Sequence, residues 1–384
     1  MKKTLIILAA ICALSCCLAE AQGKKSVVGR AVERVLSPAR GYDPDVIYQP
    51  VPRWTFALTG DLRQARFTQK QAFDLPSARS GPSGELVIEQ IPVSVSSKLQ
   101  GKIDKGIGIQ AGYGDLSLAL SKKFHGEGTD NVFSFDYLSA GYAFQVQFFD
   151  FSNPVNYHLN FAEEGHWAYR DEDDMTENPG RMRSFIMDAF YSFNQRTFAY
   201  SAAYKGNIFQ RRSAGSLMFG SKVILGEYTI DPEEEIAAWT SGQSKQTSAQ
   251  VSFGGGYSYN FVLFHRQPYA ERDKGLRNLT INLTALPMVT IFNQFTSTAY
   301  HLEDGSYKET DKDVMNGKLL VNYVARIGVS YTYGLFTINL SASNDDFSYK
   351  GTSSLTYRGY KSNDVQTTGN FFRWMTALRV GMRF

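Results

Sequence analysis

Cysteine is almost absent from this sequence, which has three, at positions 12, 16 and 17. All three fall in a segment with the form of a secretory signal. In it, the basic residues 2–3 precede the apolar run 5–14, and residues 19–21, Ala-Glu-Ala, supply a small-x-small cleavage site. Residues 13–16 form a poorer alternative site of the lipoprotein type. Cleavage after Ala21 would leave a chain with no thiol, which excludes disulfides and thiolate metal sites.

Two other absences narrow the class of protein. Beyond the signal segment there is no uninterrupted apolar run of about 18 residues, so a membrane-spanning helix is excluded. The 40 Lys and Arg residues nearly balance the 37 Asp and Glu residues, for a net charge of +3. A nucleic-acid partner would require a basic surplus on one face, and this composition does not favour one.

Aromatic residues, in contrast, are abundant, with 27 Phe, 22 Tyr and 4 Trp. Phe and Tyr recur in short stretches in which apolar and polar residues alternate. In an exported chain without spanning helices, this composition is typical of a transmembrane β-barrel of the bacterial outer membrane.

The clearest alternating stretch is residues 370–384, whose two faces differ in character. One face is apolar and carries Phe372, Trp374, Thr376, Leu378, Val380, Met382 and Phe384. The other carries three arginines, Arg373, Arg379 and Arg383. This pattern predicts a strand between lipid and a wet lumen, with a sandwich strand as the alternative. The stretch also resembles the C-terminal strand of bacterial outer-membrane barrels, which ends in Phe and is read by the barrel assembly machinery.

From Trp54 onward the pattern predicts one all-β domain over residues 54–384, a single closed antiparallel transmembrane β-barrel of about 12 strands, within a range of 12–14. We expect the signal segment at residues 1–21 and a periplasmic lead at residues 22–53. The pattern of the lead predicts a short basic amphipathic helix that ends at Ser37-Pro38, with a frayed, exposed leader as the alternative because so short a helix is marginal alone.

The lengths of the predicted connections differ at the two ends of the barrel. Short turns are predicted at residues 114–115, 140–141, 194–196 and 333–334, and long polar loops at residues 150–181, 229–245, 293–316 and 348–369. Residues 86–99 are predicted as a weak strand, and residues 198–204 as a strand returning from the turn at 194–196. The sequence leaves open whether the number of strands before residues 209–213 is odd or even.

Five histidines are scattered along the chain and match no catalytic signature: His125, His158, His166, His265 and His301. The best place for chemistry is the segment from His158 to the acidic run 171–174, which offers oxygen ligands for a divalent cation and a base for hydrolysis. A solvated acidic loop is the plainer interpretation. A histidine within hydrogen-bond reach of a Ser or a carboxylate near the rim would keep an enzyme in consideration.

Two sets of arginines suggest contact with anions. Arg211 and Arg212 open a strand and offer guanidinium groups to a lumen or lipopolysaccharide phosphate, or belong to a charge ladder balanced by carboxylates. Arg373, Arg379 and Arg383 would line the lumen of the barrel, where each either favours anions or pairs with an acidic residue across it. Residues 254–256, Gly-Gly-Gly, lie inside a predicted strand and do not form a phosphate loop.

Several stretches resemble a family of Gram-negative outer-membrane proteins catalogued as a domain of unknown function, family 4421. The strongest are residues 182–184, 191–200 and 210–216, and weaker ones are residues 45–48, 54–55 and 256–261. The resemblance implies a barrel in the outer membrane and implies no reaction or ligand.

The sequence thus predicts an outer-membrane barrel that is a narrow channel or a surface structural or binding protein, without catalysis and without a cofactor. The alternative is an outer-membrane hydrolase acting on lipid or peptide. The expected partners are outer-membrane lipid, lipopolysaccharide, the barrel assembly machinery and, for a channel, a small solute.

Overall fold

A computed structural model of the chain describes residues 42–50, 54–80, 85–100, 103–124, 129–161, 169–240, 242–268, 275–317, 320–357 and 360–384. Most of these residues are in β-strands. Within this part of the chain, no helix has the length and apolar character needed to cross a membrane. The predicted signal segment and the predicted amphipathic helix of the lead lie outside the described residues.

The strands are numbered in chain order. They are β1 (Ile47–Tyr48), β2 (Trp54–Ser80), β3 (Leu86–Gln100), β4 (Asp104–Tyr113), β5 (Leu116–Lys123), β6 (Thr129–Leu138), β7 (Tyr142–Asn153), β8 (Val155–Phe161), β9 (Arg170–Met175), β10 (Gly180–Ser192), β11 (Phe209–Gln210), β12 (Ala214–Thr229), β13 (Gln243–Arg266), β14 (Arg277–Glu303), β15 (Ser306–Asn316), β16 (Leu320–Tyr333), β17 (Phe336–Tyr357) and β18 (Tyr360–Arg383). A 3-10 helix spans Tyr200–Ala203, and a short α-helix, α1, spans Glu235–Trp239.

Twelve of these strands form one closed antiparallel ring. Its order is β2, β4, β5, β6, β7, β10, β12, β13, β14, β16, β17 and β18, and β18 pairs with β2 from Arg383–Thr55 to Gln366–Ala72. Closure leaves no free sheet edge in the ring, so every wall strand has two hydrogen-bonded neighbours. The predicted all-β, closed antiparallel barrel of about 12 strands is confirmed.

Side chains of the wall alternate between an exposed apolar exterior and a buried polar interior. On β2, Leu58 is 69% exposed, whereas its neighbours Thr59 and Asp61 are buried. The same alternation recurs around the ring because successive residues of a strand point to opposite faces. We call the exposed outward set the apolar belt; it includes Trp54, Phe56, Leu58, Ile107, Ile109, Leu118, Leu217, Phe219, Leu283, Val321, Ile338, Leu340, Leu378 and Val380.

One end of the barrel, the short-turn end, has tight connections. Gly114 and Gly334 take positive φ angles of 55° and 58° in the turns between β4 and β5 and between β16 and β17. A residue without Cβ adopts this conformation at no steric cost, so glycine is well suited to both turns. Trp54 and Phe384 meet at the same end, where the Phe384 amide donates to the Trp54 carbonyl at 2.9 Å.

The opposite, extended end is built from strands where the sequence suggested loops. The C-terminal part of β2 pairs with β3 outside the ring, β3 pairs with β8, and β8 pairs with β9. Residues 86–99 are therefore not a wall strand, and segment 150–181 is not a plain loop. The predicted loops 293–316 and 348–369 are extensions of β14, β17 and β18, with β15 added to β14. Both faces of these extensions carry polar residues, so the contrast that marks a wall strand is missing from their sequence.

The connection from β10 to β12 also differs from the prediction. Residues 198–204 are not a returning strand; they contain the 3-10 helix, and β10 pairs directly with β12. We call residues 194–213 the plug. Ala199, Ser201 and Ala203 are fully buried between buried aromatic residues, so the odd-numbered and the even-numbered residues of the segment are both packed. The alternation of aromatic and small residues therefore reflects dense packing and not the two faces of a strand. Because β10 pairs directly with β12, no wall strand lies within residues 198–213, and the number of wall strands before β12 is settled.

The three glycines of β13 lie inside the strand, as predicted. A Cβ atom on Gly254 would lie 2.1 Å from the Pro287 carbonyl oxygen, and one on Gly256 would lie 2.1 Å from the Ala285 carbonyl oxygen. These positions therefore allow β13 and β14 to approach closely.

Candidate functional site

The interior of the barrel contains a layer of charged side chains that connects distant wall strands. Lys222 on β12 lies 2.5 Å from Asp345 on β17 and 3.3 Å from Asp188 on β10. Arg373 on β18 lies 2.7 Å from the second oxygen of Asp345 and donates to Gln147 on β7 at 2.6 Å. β12 and β17 are four strands apart in the ring, so these bonds cross the lumen.

Arg326 on β16 completes this charged layer. Its guanidinium lies 2.5 Å from Asp188 and donates to Gln145 on β7, and it sits over the ring of Phe190 at 4.9 Å. β16 and β7 face each other across the barrel. Burial of ions is costly unless each charge has partners, and here carboxylates, amides and an aromatic face supply them.

A second ion cluster lies on the wall formed by β2, β5 and β6. Arg63 donates to Asp130 at 2.7 Å and to Asp61 and Ser121 at 2.9 Å each. Both carboxylates and the guanidinium are buried. Arg63 therefore balances acidic residues of its own and a nearby strand and does not present a free charge to the lumen.

Toward the extended end, the lumen is filled by apolar side chains. Phe67 on β2 and Tyr228 on β12, on opposite walls, have ring centroids 4.6 Å apart. Phe149 on β7 stacks on Phe371 of β18 at 5.4 Å. Side chains that meet ring to ring from opposite walls leave no continuous water path between them.

At the short-turn end, the plug is held in the lumen by inward amides of β13 and β14. The Asn260 side chain donates to the Ala199 carbonyl at 2.7 Å and to the Gln210 side-chain oxygen at 2.6 Å. Asn278 donates to the Gln210 carbonyl at 2.9 Å, and the Tyr204 hydroxyl donates to Asn282 at 2.8 Å. Buried backbone groups of an irregular segment need such partners, so these amides fix the plug.

The segment before the barrel joins the plug. β1 pairs with β11 through Ile47–Gln210 and Tyr48–Phe209, and the Asp43 amide donates to the Arg196 carbonyl at 2.8 Å. Ile47 and Phe209 are almost fully buried. Residues 43–48 therefore pack as part of the plug assembly.

One cation of the plug, Lys205, is buried without a hydrogen-bond partner in the described part of the chain. Its side chain is 8% exposed, and burial lowers its pKa to about 7, against the opposing fields of Asp115 and Asp136. Burial also raises the pKa of Asp115, although Lys205 and a 2.5 Å hydrogen bond from Asn207 act in the opposite direction. Lys205 and Arg379 line a cavity of about 30 Å³, roughly the volume of one water molecule.

The arginines singled out in the sequence lie in four different environments. Arg373 belongs to the charged layer, and Arg379 and Arg383 both line the small cavity beside Lys205. Arg383 sits over the ring of Phe209 at 5.0 Å and donates to the Gly334 carbonyl at 2.8 Å. Arg211 sits over Tyr48 at 5.5 Å, and the Arg212 side chain is exposed. The structure therefore does not gather them into one anion site.

The apolar residues predicted on the outer face of β18 point away from the lumen. Phe384, Leu378 and Val380 are 60%, 46% and 50% exposed, and Phe372, Trp374 and Met382 are partly covered by neighbours. Arg66 lies over the Phe372 ring at 5.1 Å, and the Trp374 indole donates to Gln64 at 3.2 Å.

His158 is within reach of carboxylates at the extended end. Its Nδ1 lies 3.1 Å from Asp173 and its Nε2 lies 3.2 Å from Asp171. His301 contacts the Thr310 hydroxyl at 2.5 Å, and His265 contacts Asn278 at 3.2 Å. His125 and His166 lie outside the described residues. Among the residues that the structure does describe, no group of three or more His, Cys, Asp or Glu side chains is arranged to hold a metal ion.

Sequence reasoning missed the residues that fill the lumen. Lys222, Asp188 and Asp345 are single charges on the interior faces of predicted strands, and Asn260 and Asn282 are amides at such positions. The available signal was a polar residue of low β-propensity at an inward position. The sequence alone does not show which of these residues meet across the barrel.

A profile of the family described as Domain of unknown function (DUF4421) matches residues 69–367. The chain belongs to the DUF4421 family. In this DUF4421 barrel, four of the stretches that carry the resemblance meet at the plug: residues 191–200 and 210–216 form most of it, residues 45–48 include β1, and residues 256–261 include Asn260.

Two solved structures are similar in outline to the DUF4421 barrel. The outer membrane protease OmpT from Escherichia coli has 8% sequence identity and a TM-score of 0.40, with 86% of this chain and 97% of that chain covered. OccAB4 from Acinetobacter baumannii has 10% identity and a TM-score of 0.14, with 87% of this chain and 100% of that chain covered. No curated protein matches the sequence. The closed ring is established by the strand pairing of this chain and not by these weak similarities.

Proposed function

We propose that this DUF4421 protein is an integral outer-membrane β-barrel with an occluded lumen, serving as a surface binding or structural protein. The apolar belt supports the membrane location. Leu58, Ile109 and Val321 are 69%, 63% and 77% exposed on the outer wall. A soluble monomer rarely exposes a contiguous apolar surface of this extent, whereas hydrocarbon would cover it.

The observation that carries the occluded state is the set of contacts that cross the lumen. Three layers follow one another from the extended end to the short-turn end: the Phe67–Tyr228 and Phe149–Phe371 ring contacts, the ion pairs around Lys222 and Asp345, and the plug. Twelve-stranded barrels lie between those filled by side chains and those that leave a channel. The filled interior favours a closed barrel over a constitutive channel for a small solute.

Among the described residues, the surroundings of His158, the histidine of the segment singled out for chemistry, support a protein without catalysis. A general base needs one nitrogen free to take a proton from a nucleophile or a water molecule. Both ring nitrogens of His158 contact carboxylates, so neither is directed toward a substrate. The His158–Asp173 contact nevertheless meets the condition set for the alternative, an outer-membrane hydrolase acting on lipid or peptide. Assays of the purified protein on fluorescent lipid and peptide substrates, with His158→Ala as the reference, test that alternative.

Conductance measurements test the occluded state. The purified protein, reconstituted in planar bilayers, is expected to show no unitary conductance, while protease protection in matched vesicles verifies its insertion. A variant in which a short turn replaces residues 195–212 and that also carries small residues in place of Phe67, Phe371, Lys222, Arg326 and Arg373 lacks side chains of all three layers and is expected to conduct. A stable unitary conductance of the wild-type protein would overturn the proposal. Fractionation of cell envelopes tests the outer-membrane location independently.

A further inference from the structure

The extended end carries a concave groove of about 1010 Å³ on its outer face. The groove crosses a continuous sheet of six strands in the order β17, β18, β2, β3, β8 and β9. Its lining includes the hydroxyl and amide side chains of Thr68, Ser96, Thr368 and Asn370. We call this the lysine groove because Lys70, Lys98 and Lys350 line it.

The register places these lysines close together. Lys350 on β17 is opposite Thr368 on β18, and Thr368 is opposite Lys70 on β2. Lys98 on β3 is opposite Thr68, two residues from Lys70 on the same face. With strands about 4.8 Å apart, Lys70 starts within roughly 10 Å of both Lys98 and Lys350, whereas Lys98 and Lys350 are three strands apart and start roughly 16 Å from each other. The three side chains can therefore contact one elongated ligand that carries more than one anionic group.

The three lysines are available to a ligand. All three are exposed, and in the described part of the chain none of them forms an ion pair with a carboxylate. The acidic lining residues lie at the far edge, on β9, and contact other groups: Asp173 contacts His158 at 3.1 Å, and Asp174 accepts from Tyr157 at 3.2 Å. Positive charge is thus concentrated on one side of the groove.

The position of the groove relative to the apolar belt indicates what covers it. Thr368 and Asn370 continue the outward face of β18 that carries Phe372 and Trp374 nearer the barrel wall. At about 3.3 Å per residue, the groove begins at Asn370, roughly 7 Å beyond Phe372, and Arg66 lies over Phe372 at the boundary. Lipid head groups lie at this height when hydrocarbon covers the belt.

We propose that the lysine groove binds the phosphate groups of a phosphorylated glycolipid of the outer leaflet. The lysines supply charge to the phosphates, and the hydroxyl and amide groups of Thr68, Ser96 and Asn370 match a sugar. This inference rests on the proposed membrane location of the belt, with the short-turn end in the periplasm, where outer-membrane barrels have their short turns. The extended strands would then bind lipid of the surrounding membrane, a role that does not involve the closed lumen.

Binding of diphosphorylated lipid A to the detergent-solubilised protein, measured by native mass spectrometry and by titration, tests the inference. The variant Lys70→Gln/Lys98→Gln/Lys350→Gln is expected to bind at least about tenfold more weakly. The matched control, Lys105→Gln/Lys122→Gln/Lys308→Gln, removes three exposed lysines outside the groove and is expected to bind as the wild type does. Replacing the three groove lysines with arginine should preserve binding, which guards against loss through misfolding.

Several outcomes would overturn the inference: no binding of lipid A by the wild type, equal losses in both Gln variants, or equal affinity for dephosphorylated lipid A. Displacement of lipid A by an equal concentration of inorganic phosphate would show that free phosphate, and not a glycolipid, is the ligand. Failure of the proposed membrane location would appear separately, as wild-type protein that is missing from the outer-membrane fraction.

Discussion

Lys222 and Asp345 are 123 positions apart in the chain and lie 2.5 Å apart inside the barrel. The contact ties β12 to β17, and through Arg373 and Asp188 it reaches β18 and β10. A buried charge that loses its partner remains desolvated and uncompensated. The stability of the barrel therefore depends on this interior network as well as on strand pairing.

We expect Lys222→Met to destabilise the folded barrel by about 3–5 kcal/mol, because Asp188 and Asp345 lose a buried cation. Urea unfolding in detergent, followed by heat-modified gel mobility, measures the change. Lys245→Met is the control, since Lys245 is partly exposed and pairs with Glu227 at 3.2 Å. Its expected cost is below about 1 kcal/mol. Equal costs for the two variants would contradict the importance of the interior network.

Gln210→Ala should loosen the plug. Its side-chain oxygen accepts from the Ala199 amide and the Asn260 side chain, and its nitrogen donates to the Thr197 and Arg212 carbonyls. Unsatisfied buried groups cost about 1–3 kcal/mol each. Hydrogen exchange across residues 195–212 is expected to accelerate at least about tenfold, whereas exchange in β16 stays unchanged. Arg212→Ala, which removes an exposed side chain, should leave the plug protected.

Lys205 predicts a dependence of stability on pH. Its folded pKa, about 7, is below the ordinary value of 10.5, so the unfolded chain binds more protons between these two values. The free energy of unfolding contributed by Lys205 therefore rises as pH increases from about 7 to about 10. The groups that face Lys205 are Asp115, Asp136 and Arg379.

Lys205→Met should abolish this contribution and stabilise the protein by about 2–4 kcal/mol at pH 6, where the buried ammonium is most costly. Unfolding of both proteins from pH 6 to pH 10 provides the difference. Lys308→Met, at an exposed position, serves as the reference. A wild-type-minus-variant difference that does not change with pH would exclude a titrating Lys205.

Phe384→Ala should reduce insertion of the barrel several-fold more than the loss of one exposed side chain suggests. Phe384 closes the seam between β18 and β2: its amide donates to the Trp54 carbonyl, and its ring lies 6.0 Å from that of Phe56. Cell-envelope fractionation and gel mobility measure the folded fraction. Phe336→Ala is the matched control, because Phe336 is 58% exposed at the same end. Similar folded fractions for the two variants would contradict a special role for Phe384.

The two faces of the wall strands follow from the sequence because a strand has a fixed period of two. Leu378 and Val380 lie on one face of β18 and Arg373 and Arg379 on the other, whichever partners the strand has. The same period limited the number of strands to 12–14 and no further, because residues 86–99 and 198–204 alternate as strands do without belonging to the ring. The extended end was predictable only in part. The alternation of β3, with Ile91, Val93 and Val95 buried on one face, indicated a strand, whereas the acidic β9 carries no apolar face that distinguishes it from a loop.

The sequence by itself therefore determined a closed antiparallel barrel and the residues that share each face of its walls. Only the tertiary structure decided what fills the barrel. Asp188, Lys222 and Asp345 come from strands far apart in the chain, and their pairing depends on the curvature and register of the closed ring. Residues 198–204 alternate as a strand does, yet they fold into the lumen because Asn260 and Asn282 offer hydrogen bonds there that no local pattern encodes.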